Sequence, residues 1–315
     1  MLLLLKYTLL YSAVLTLVAL GGMFSERSGI INIALEGIMT IGGLAGIVLI
    51  NVMNAAGAPV FIGVIVAIIG GGLAGLIYST LLAFSAINLK ADQTIGGTAL
   101  NLLATAIAMV VAKRINGNDS PKLAYNHNKN EVLSNLDFNF KVGGLELNWF
   151  LPICILFVIL AWFILYRSRF GMRLMSCGEH PQAADSVGIN VYKMRWAGVL
   201  LSGVLGGIGG MAYIVPAVGD WNFEMGVAGM GFLALAVMIF GQWKPVNIAL
   251  AAVFFGFFRA LANIFDSFEF LKALDLQKDV YNMMPFIASM IVLALTSKKS
   301  RAPKAEGIPY DKGQR

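Results

Sequence analysis

The sequence has little charge, little cysteine and no recognisable nucleotide cradle. Only 13% of its 315 residues are charged, against 58% hydrophobic, and the mean hydropathy is +0.77, which excludes an ordinary soluble domain. Two cysteines exclude a disulfide framework, because Cys154 lies in an apolar run and Cys177 in a polar loop, on opposite sides of a membrane boundary. No redox or metal role follows from them. The phosphate-binding pattern G-x-x-x-x-G-K-[ST] is absent from the chain. The apolar runs also lack the alternation of a β-barrel strand.

What is present is length of apolar run. About 20 consecutive apolar residues cross a bilayer as a helix, which satisfies its own backbone. Runs at 2–24, 30–50, 59–87, 94–112, 149–166, 196–217, 227–241, 246–265 and 282–296 predict an all-α polytopic bundle of nine membrane helices. The run at 59–87 is longer than one span and the glycine-laden run at 30–50 reads as broken or re-entrant, so a tenth crossing has room in either. The start, MLLLLKYTLLYSAVLTLVALGG, has no basic n-region and a long apolar stretch, so it reads as the first span and not as a cleaved signal. Among 35 glycines, small residues four apart recur at Gly42/Gly46, Gly71/Gly75, Ser202/Gly206/Gly210 and Gly203/Gly207, the spacing that lets membrane helices approach closely.

The net charge of +6 collects in loops. Residues 167–195 carry Arg167, Arg169, Arg173, Lys193 and Arg195, and the tail carries Lys298, Lys299, Arg301, Lys304, Lys312 and Arg315, which places both on the cytoplasmic side. These clusters read as orientation signals and not as a nucleic-acid surface. The acidic loop 266–281 (Asp266, Glu269, Asp275, Asp279) and the Asn-rich loop 115–148 then face outward, the latter packing over a mouth or meeting a partner. Nine spans put the N-terminus outside and ten put it inside, which Lys6 favours slightly. The expected division is a transmembrane domain over 1–297, which includes the outer loop 115–148 and the cytoplasmic loop 167–195, and a basic, disordered cytoplasmic tail over 298–315.

The loop 167–195 contains a punctuated short helix. His180 stands at its cap, Pro181 at its first position, and Gly188 closes it in a left-handed conformation. Ala183 and Ala184 make one side small. A helix of barely two turns is marginal alone and needs tertiary contact. The segment GEHPQAADSVGINVYKMR resembles the coupling segment G-x-x-P-x-A-A-x-x-x-G-I of permeases of ABC importers, in the branch serving simple sugars, nucleosides and branched-chain amino acids. SERSGIINIALEG, IGGTALNLLA and GVAGMGFLALAVMIFGQWKP resemble three further motifs of those permeases, in the same order, over residues 25–245.

The resemblance implies that Gly178, His180, Pro181, Ala183, Ala184, Gly188 and Ile189 dock on a separate cytoplasmic ATPase with tandem nucleotide-binding domains. ATP and Mg would sit there, and this chain would bind no cofactor and be no enzyme. It further implies a second permease copy or paralogue, an external solute-binding lipoprotein and a place in the bacterial plasma membrane. The form SERSGIINIALEG is closer to nucleoside than to ribose permeases, so a nucleoside is the expected solute, with sugars open. This length resembles the smaller of two paired, non-identical permeases.

Polar residues inside the runs are the candidate path. Glu36 is an ionisable group in a membrane segment, with Asn32 four residues earlier on the same helical face. The pair either faces solute or hydrogen-bonds a neighbouring or broken helix. Thr94, Thr98 and Asn101 form a stripe on the fourth run, where helix–helix bonding explains the threonines equally well. Asn222 and Glu224 repeat the Asn and Glu of NIALEG ahead of the seventh run, a hint of internal pseudo-symmetry, and Trp221 beside them reads as an interfacial anchor. The rival expectation is a secondary transporter with Glu36 as its ion relay.

Overall fold

The computed structural model describes residues 2–124, 139–142, 145–218, 220–265, 278–296 and 302–313. Eleven α-helices stand among them: α1 (Leu2–Arg27), α2 (Leu35–Ala55), α3 (Val60–Ala83, continued by a π turn at Phe84–Asn88), α4 (Gln93–Asn116), α5 (Phe150–Arg167), α6 (Arg169–Glu179), α7 (Pro181–Ser186), α8 (Val191–Ala212, with a π turn at Tyr213–Val218), α9 (Met230–Phe240), α10 (Pro245–Ile264) and α11 (Lys278–Thr296). Two short antiparallel ribbons qualify the all-α expectation. β1 (Lys122–Ala124) pairs with β4 (Asp220–Asn222), Leu123 opposite Trp221, and β2 (Asn139–Val142) pairs with β3 (Leu145–Asn148), Phe140 opposite Leu147.

Seven helices among the described residues are long and apolar enough to cross a membrane. They are α1, α2, α3 with its π turn, α4, α5, α8 and α10. The run at 227–241 is not a full span. Its helix, α9, has 11 residues, about 16 Å at 1.5 Å per residue, or half of a hydrocarbon core of about 30 Å. Gly226, Ala228 and Gly229 all have positive φ (57°, 53° and 79°), and a chain turning through the left-handed region at three of four positions cannot be helical there. The run at 30–50 is likewise broken: α1 ends at Arg27, the chain passes through turns and irregular backbone at 28–34, and α2 begins only at Leu35.

The small-residue spacings are the seams of the core. A Cβ on Gly42 would fall on the backbone of Gly207, one on Gly75 on the Gly203 carbonyl, one on Gly207 on the Gly71 carbonyl, and one on Gly210 on the Met39 carbonyl. Helices α2, α3 and α8 therefore meet backbone to backbone, which dispersion stabilises only at such close approach. On the other side of α8, α1 is buried for most of its length among α8, α9, α10 and α5. Outward faces stay apolar, as at Ile77 on α3, Leu102 on α4 and Ile159 on α5.

The bundle has two distinct ends. At one, Lys6 near the start of α1 pairs with Glu146 of β3 at 2.8 Å, so the N-terminus lies with the 139–148 ribbon and Lys6 is the partner of a loop carboxylate. At the other lie the 28–34 bend, α6, α7 and residues 302–313. The tail, expected as a solvated extension, is packed there: Pro303, Ala305 and Tyr310 are buried. Arg195, counted among the loop charges, is 1% exposed beneath it. Most of the loop 115–148, the acids Asp266, Glu269 and Asp275, and Lys298, Lys299, Arg301 and Arg315 lie outside the described residues. Cys154 and Cys177 are both free.

Candidate functional site

Midway along α4 a groove of about 730 Å³ opens between α2, α4 and the turn that precedes α9. Its polar lining is Glu36, Thr98, Asn101, Thr105 and Glu224, and Leu102, Met109 and Phe232 are among its apolar walls. The groove exists because two chain segments enter the bundle without α-helical structure and meet. The 28–34 bend leads into α2, and the 223–229 turn leads into α9.

Glu36 joins them. Its Oε1 accepts the Gly229 N–H at 2.8 Å and its Oε2 the Gly231 N–H at 2.7 Å, so one carboxylate holds the N-terminus of α9. The first N–H groups of a helix have no partner within it, and their partial positive charge favours an anion. Gly231 must be glycine, since a Cβ would meet the Glu36 backbone at 2.5 Å. Asn101 braces the other segment: its amide donates to the Ile33 carbonyl at 2.9 Å and its oxygen accepts the Gly37 N–H at 2.7 Å. The hydrogen-bonding capacity of both residues is thus largely used in holding the groove open.

The remaining predicted positions scatter. Asn32 is sealed, donating to Ser202 Oγ at 2.7 Å, because the non-helical backbone at 30–32 breaks the helical relation assumed between it and Glu36. Thr94 sits in the first turn of α4, its N–H bound by the capping carboxylate of Asp92, and does not line the groove. Glu224 does line it. It is exposed, and it closes a local turn with Asn222, whose side chain accepts the Glu224 N–H at 3.1 Å and donates to its carboxylate at 3.0 Å. Trp221 is a strut, donating to the Gly226 carbonyl at 2.6 Å and packing edge-on to Tyr213. Thr105, missed in the sequence, follows Asn101 by one turn on the same face.

At the end of the bundle, α6 and α7 form the projecting unit. His180 caps α7 through its backbone, Pro181 begins it, and Gly188 ends it at φ +82° with nothing within 4 Å of a Cβ. Ala184 packs inward with Cys177 and Val191, while Gln182, Ala183, Ser186 and Val187 face out, Val187 at 75% exposure. Ile189 packs partly against the same cluster. Val187 is a second residue the sequence reading missed, though an apolar side chain directly before a helix-ending glycine in a polar loop is a readable signal. Gly178 fixes α6 to the bend, since a Cβ there would fall on the Arg27 carbonyl. Burial raises the Cys177 thiol, so it stays protonated and unreactive.

Residues 4–295 match the family model described as the permease component of branched-chain amino acid transport systems. The nucleoside ABC transporter permease protein NupC of Lactococcus lactis is 40% identical over 97% of this chain and 96% of its own length. The guanosine ABC transporter permease protein NupQ of Bacillus subtilis is 39% identical over 98% and 96%. A solved inward-facing ABC transporter structure superposes with a TM-score of 0.50 at 16% identity, over 93% of this chain and 85% of that one, a likeness of fold alone.

Proposed function

We propose, from a chain that belongs to the permease family of branched-chain amino acid transport systems, that it forms one wall of the path by which an ATP-driven importer takes up a nucleoside. As a permease component it is a multi-pass membrane subunit working with an ATPase partner and a substrate-binding protein, and ATP hydrolysis belongs to the ATPase. The nucleoside assignment rests on the two relatives near 40% identity. Neutral hydroxyl and amide groups of such a solute suit Thr98, Thr105 and Glu224, the groove-lining groups with acceptor capacity left, while Glu36 and Asn101 set the shape.

The observation that carries the mechanism is the joining of two sites. The projecting α7 continues into α6, whose Gly178 lies against the bend that leads to Glu36. Docking on an ATPase with tandem nucleotide-binding domains, through Ala183 and Val187, would move that bend and with it the groove. The basic loop and tail orient this end to the cytoplasm of a bacterial plasma membrane. The chain then crosses nine times, the seventh crossing made of the β4 turn and α9. The groove is open along the apolar face of α4, so a second, non-identical permease completes the path, and a lipoprotein delivers the solute to the opposite end. Glu36 is poorly placed as an ion relay, with each carboxylate oxygen accepting a backbone N–H.

The test is uptake of labelled guanosine into vesicles containing both permeases, the ATPase and the lipoprotein. Uptake is expected to require ATP and the lipoprotein; uptake driven by a proton gradient alone would overturn the reading. Gly188→Val, forcing a β-branched residue to positive φ at about 1–2 kcal/mol, should lower nucleoside moved per ATP several-fold, and Gly188→Asn should be nearly neutral.

A further inference from the structure

Residues 302–313 tie together, at one end of the bundle, elements that the transport cycle must move in concert. The Ala305 N–H donates to the Gly178 carbonyl of α6 at 2.8 Å, and the Gly307 N–H to the Gly29 carbonyl of the bend at 3.2 Å. Buried Arg195, at the start of α8, donates to the Ile308 carbonyl at 3.0 Å and lies 6.0 Å from the centre of the Tyr310 ring. Tyr310 is 5% exposed, packs edge-on to Tyr192 at 5.4 Å, and completes the apolar cluster of Cys177, Ala184 and Val191 that seats α7. Asp311 bonds Lys90, beyond α3, at 2.9 Å, and Lys312 faces Asp185 of α7 at 3.8 Å. Gly307, at φ +76°, turns the strap close over Ile31, where a Cβ would stand 2.8 Å from the Ile31 side chain.

We propose that this C-terminal strap is a positioning element for coupling: it makes α7, the end of α6, the start of α8 and the Gly29 bend move as one body, with Tyr310 and Asp311 as its positioning residues. A six-residue helix holds no geometry alone, so force applied to α7 reaches the groove only through what is packed behind it. The strap places buried aromatic and hydrogen-bonded contacts between Asp185 of α7 and Gly29, a few residues ahead of Glu36. It bonds main chain to main chain at Gly178 and Gly29, and adds side-chain contacts through Tyr310 and Asp311. The inference rests on the proposed ATP-driven transport.

The test uses the full complex in vesicles, comparing Tyr310→Ala, Tyr310→Phe, Asp311→Lys and the exchanged pair Asp311→Lys with Lys90→Asp. Tyr310→Ala and Asp311→Lys are expected to lower nucleoside moved per ATP hydrolysed at least fivefold while hydrolysis stays within twofold. Tyr310→Phe, which keeps the ring, and the exchanged pair should restore the ratio. Hydrogen exchange on the same complex should show the Ala305 and Gly307 amides protected in the unmodified chain and released in Tyr310→Ala. Release of those amides with an unchanged transport ratio would overturn the strap's role alone. Failure of the unmodified complex to use ATP for uptake would overturn the transport reading and the strap's role with it.

Discussion

Glu36 and Asn101 stand out in the sequence because polar side chains in membrane helices are costly, and both are found at the groove. Their work was less readable. The helical spacing that pairs Asn32 with Glu36 holds only if residues 32–36 are helical, and a glycine at φ +96°, Gly29, together with the non-helical backbone after it removes that condition. Glu36 instead reaches across to Gly229 and Gly231, almost 200 positions away, a contact that spacing along one chain cannot announce. Two outcomes follow for single substitutions. Asn101→Ala leaves the Ile33 carbonyl and the Gly37 N–H without their partner, about 1–3 kcal/mol for each group, and should lower the thermal unfolding midpoint of the purified chain as well as uptake. Glu36→Gln keeps the shape but turns an NH₂ donor toward one of two N–H groups. It should depress uptake more than tenfold with protein still inserted, measured as guanosine flux per inserted molecule.

At the scale of elements, α7 was legible within a residue, because proline at the first position and glycine beyond the last are local marks that need no tertiary information. The tail was not. Its lysines and prolines describe a solvated segment, and only the complementary surface of α6, α8 and the bend makes it a packed one. Its attachment should depend on pH. Burial against the end of α1 holds the Glu306 carboxyl above the ordinary carboxylate range, and its side chain hydrogen-bonds Glu26, an arrangement of two carboxyl groups that needs a proton. A carboxyl raised on docking contributes fully below its ordinary value, near 4.3, and its contribution is lost as pH rises through the raised value. Asp311 runs the other way: the Lys90 bond lowers it, so its contribution is present above the ordinary range and lost in acid, and solvent screens this exposed pair. Protection of the Ala305 amide, corrected for intrinsic exchange, should therefore fall as pH rises above the ordinary carboxylate range, and Glu306→Gln should flatten that fall.

For the whole molecule, the sequence carried the bundle and its seams. Of the small residues it singled out on α2, α3 and α8, Gly42, Gly75, Gly203, Gly207 and Gly210 lie where backbones touch, so Gly207→Leu, which drives a side chain into the Gly71 carbonyl, should cost about 3 kcal/mol or more and reduce inserted, folded protein. Gly117→Ala, at positive φ but in open space, is the control that should lose only about 1 kcal/mol. Apolar length misjudged the run at 227–241, because a run of apolar residues does not reveal that glycines inside it have left the helix. That half-length helix has an electrical consequence for the proposed path. α9 is about 16 Å long, against a hydrocarbon core of about 30 Å, and the groove opens at its N-terminal end. On the proposed orientation, with the basic tail in the cytoplasm, the membrane potential would drop mainly across α9, and a charge placed at Glu224 would sit near the voltage of the outer solution. A neutral nucleoside crosses such a focused field without electrical work, whereas a phosphorylated one would meet nearly the whole potential in a single short step.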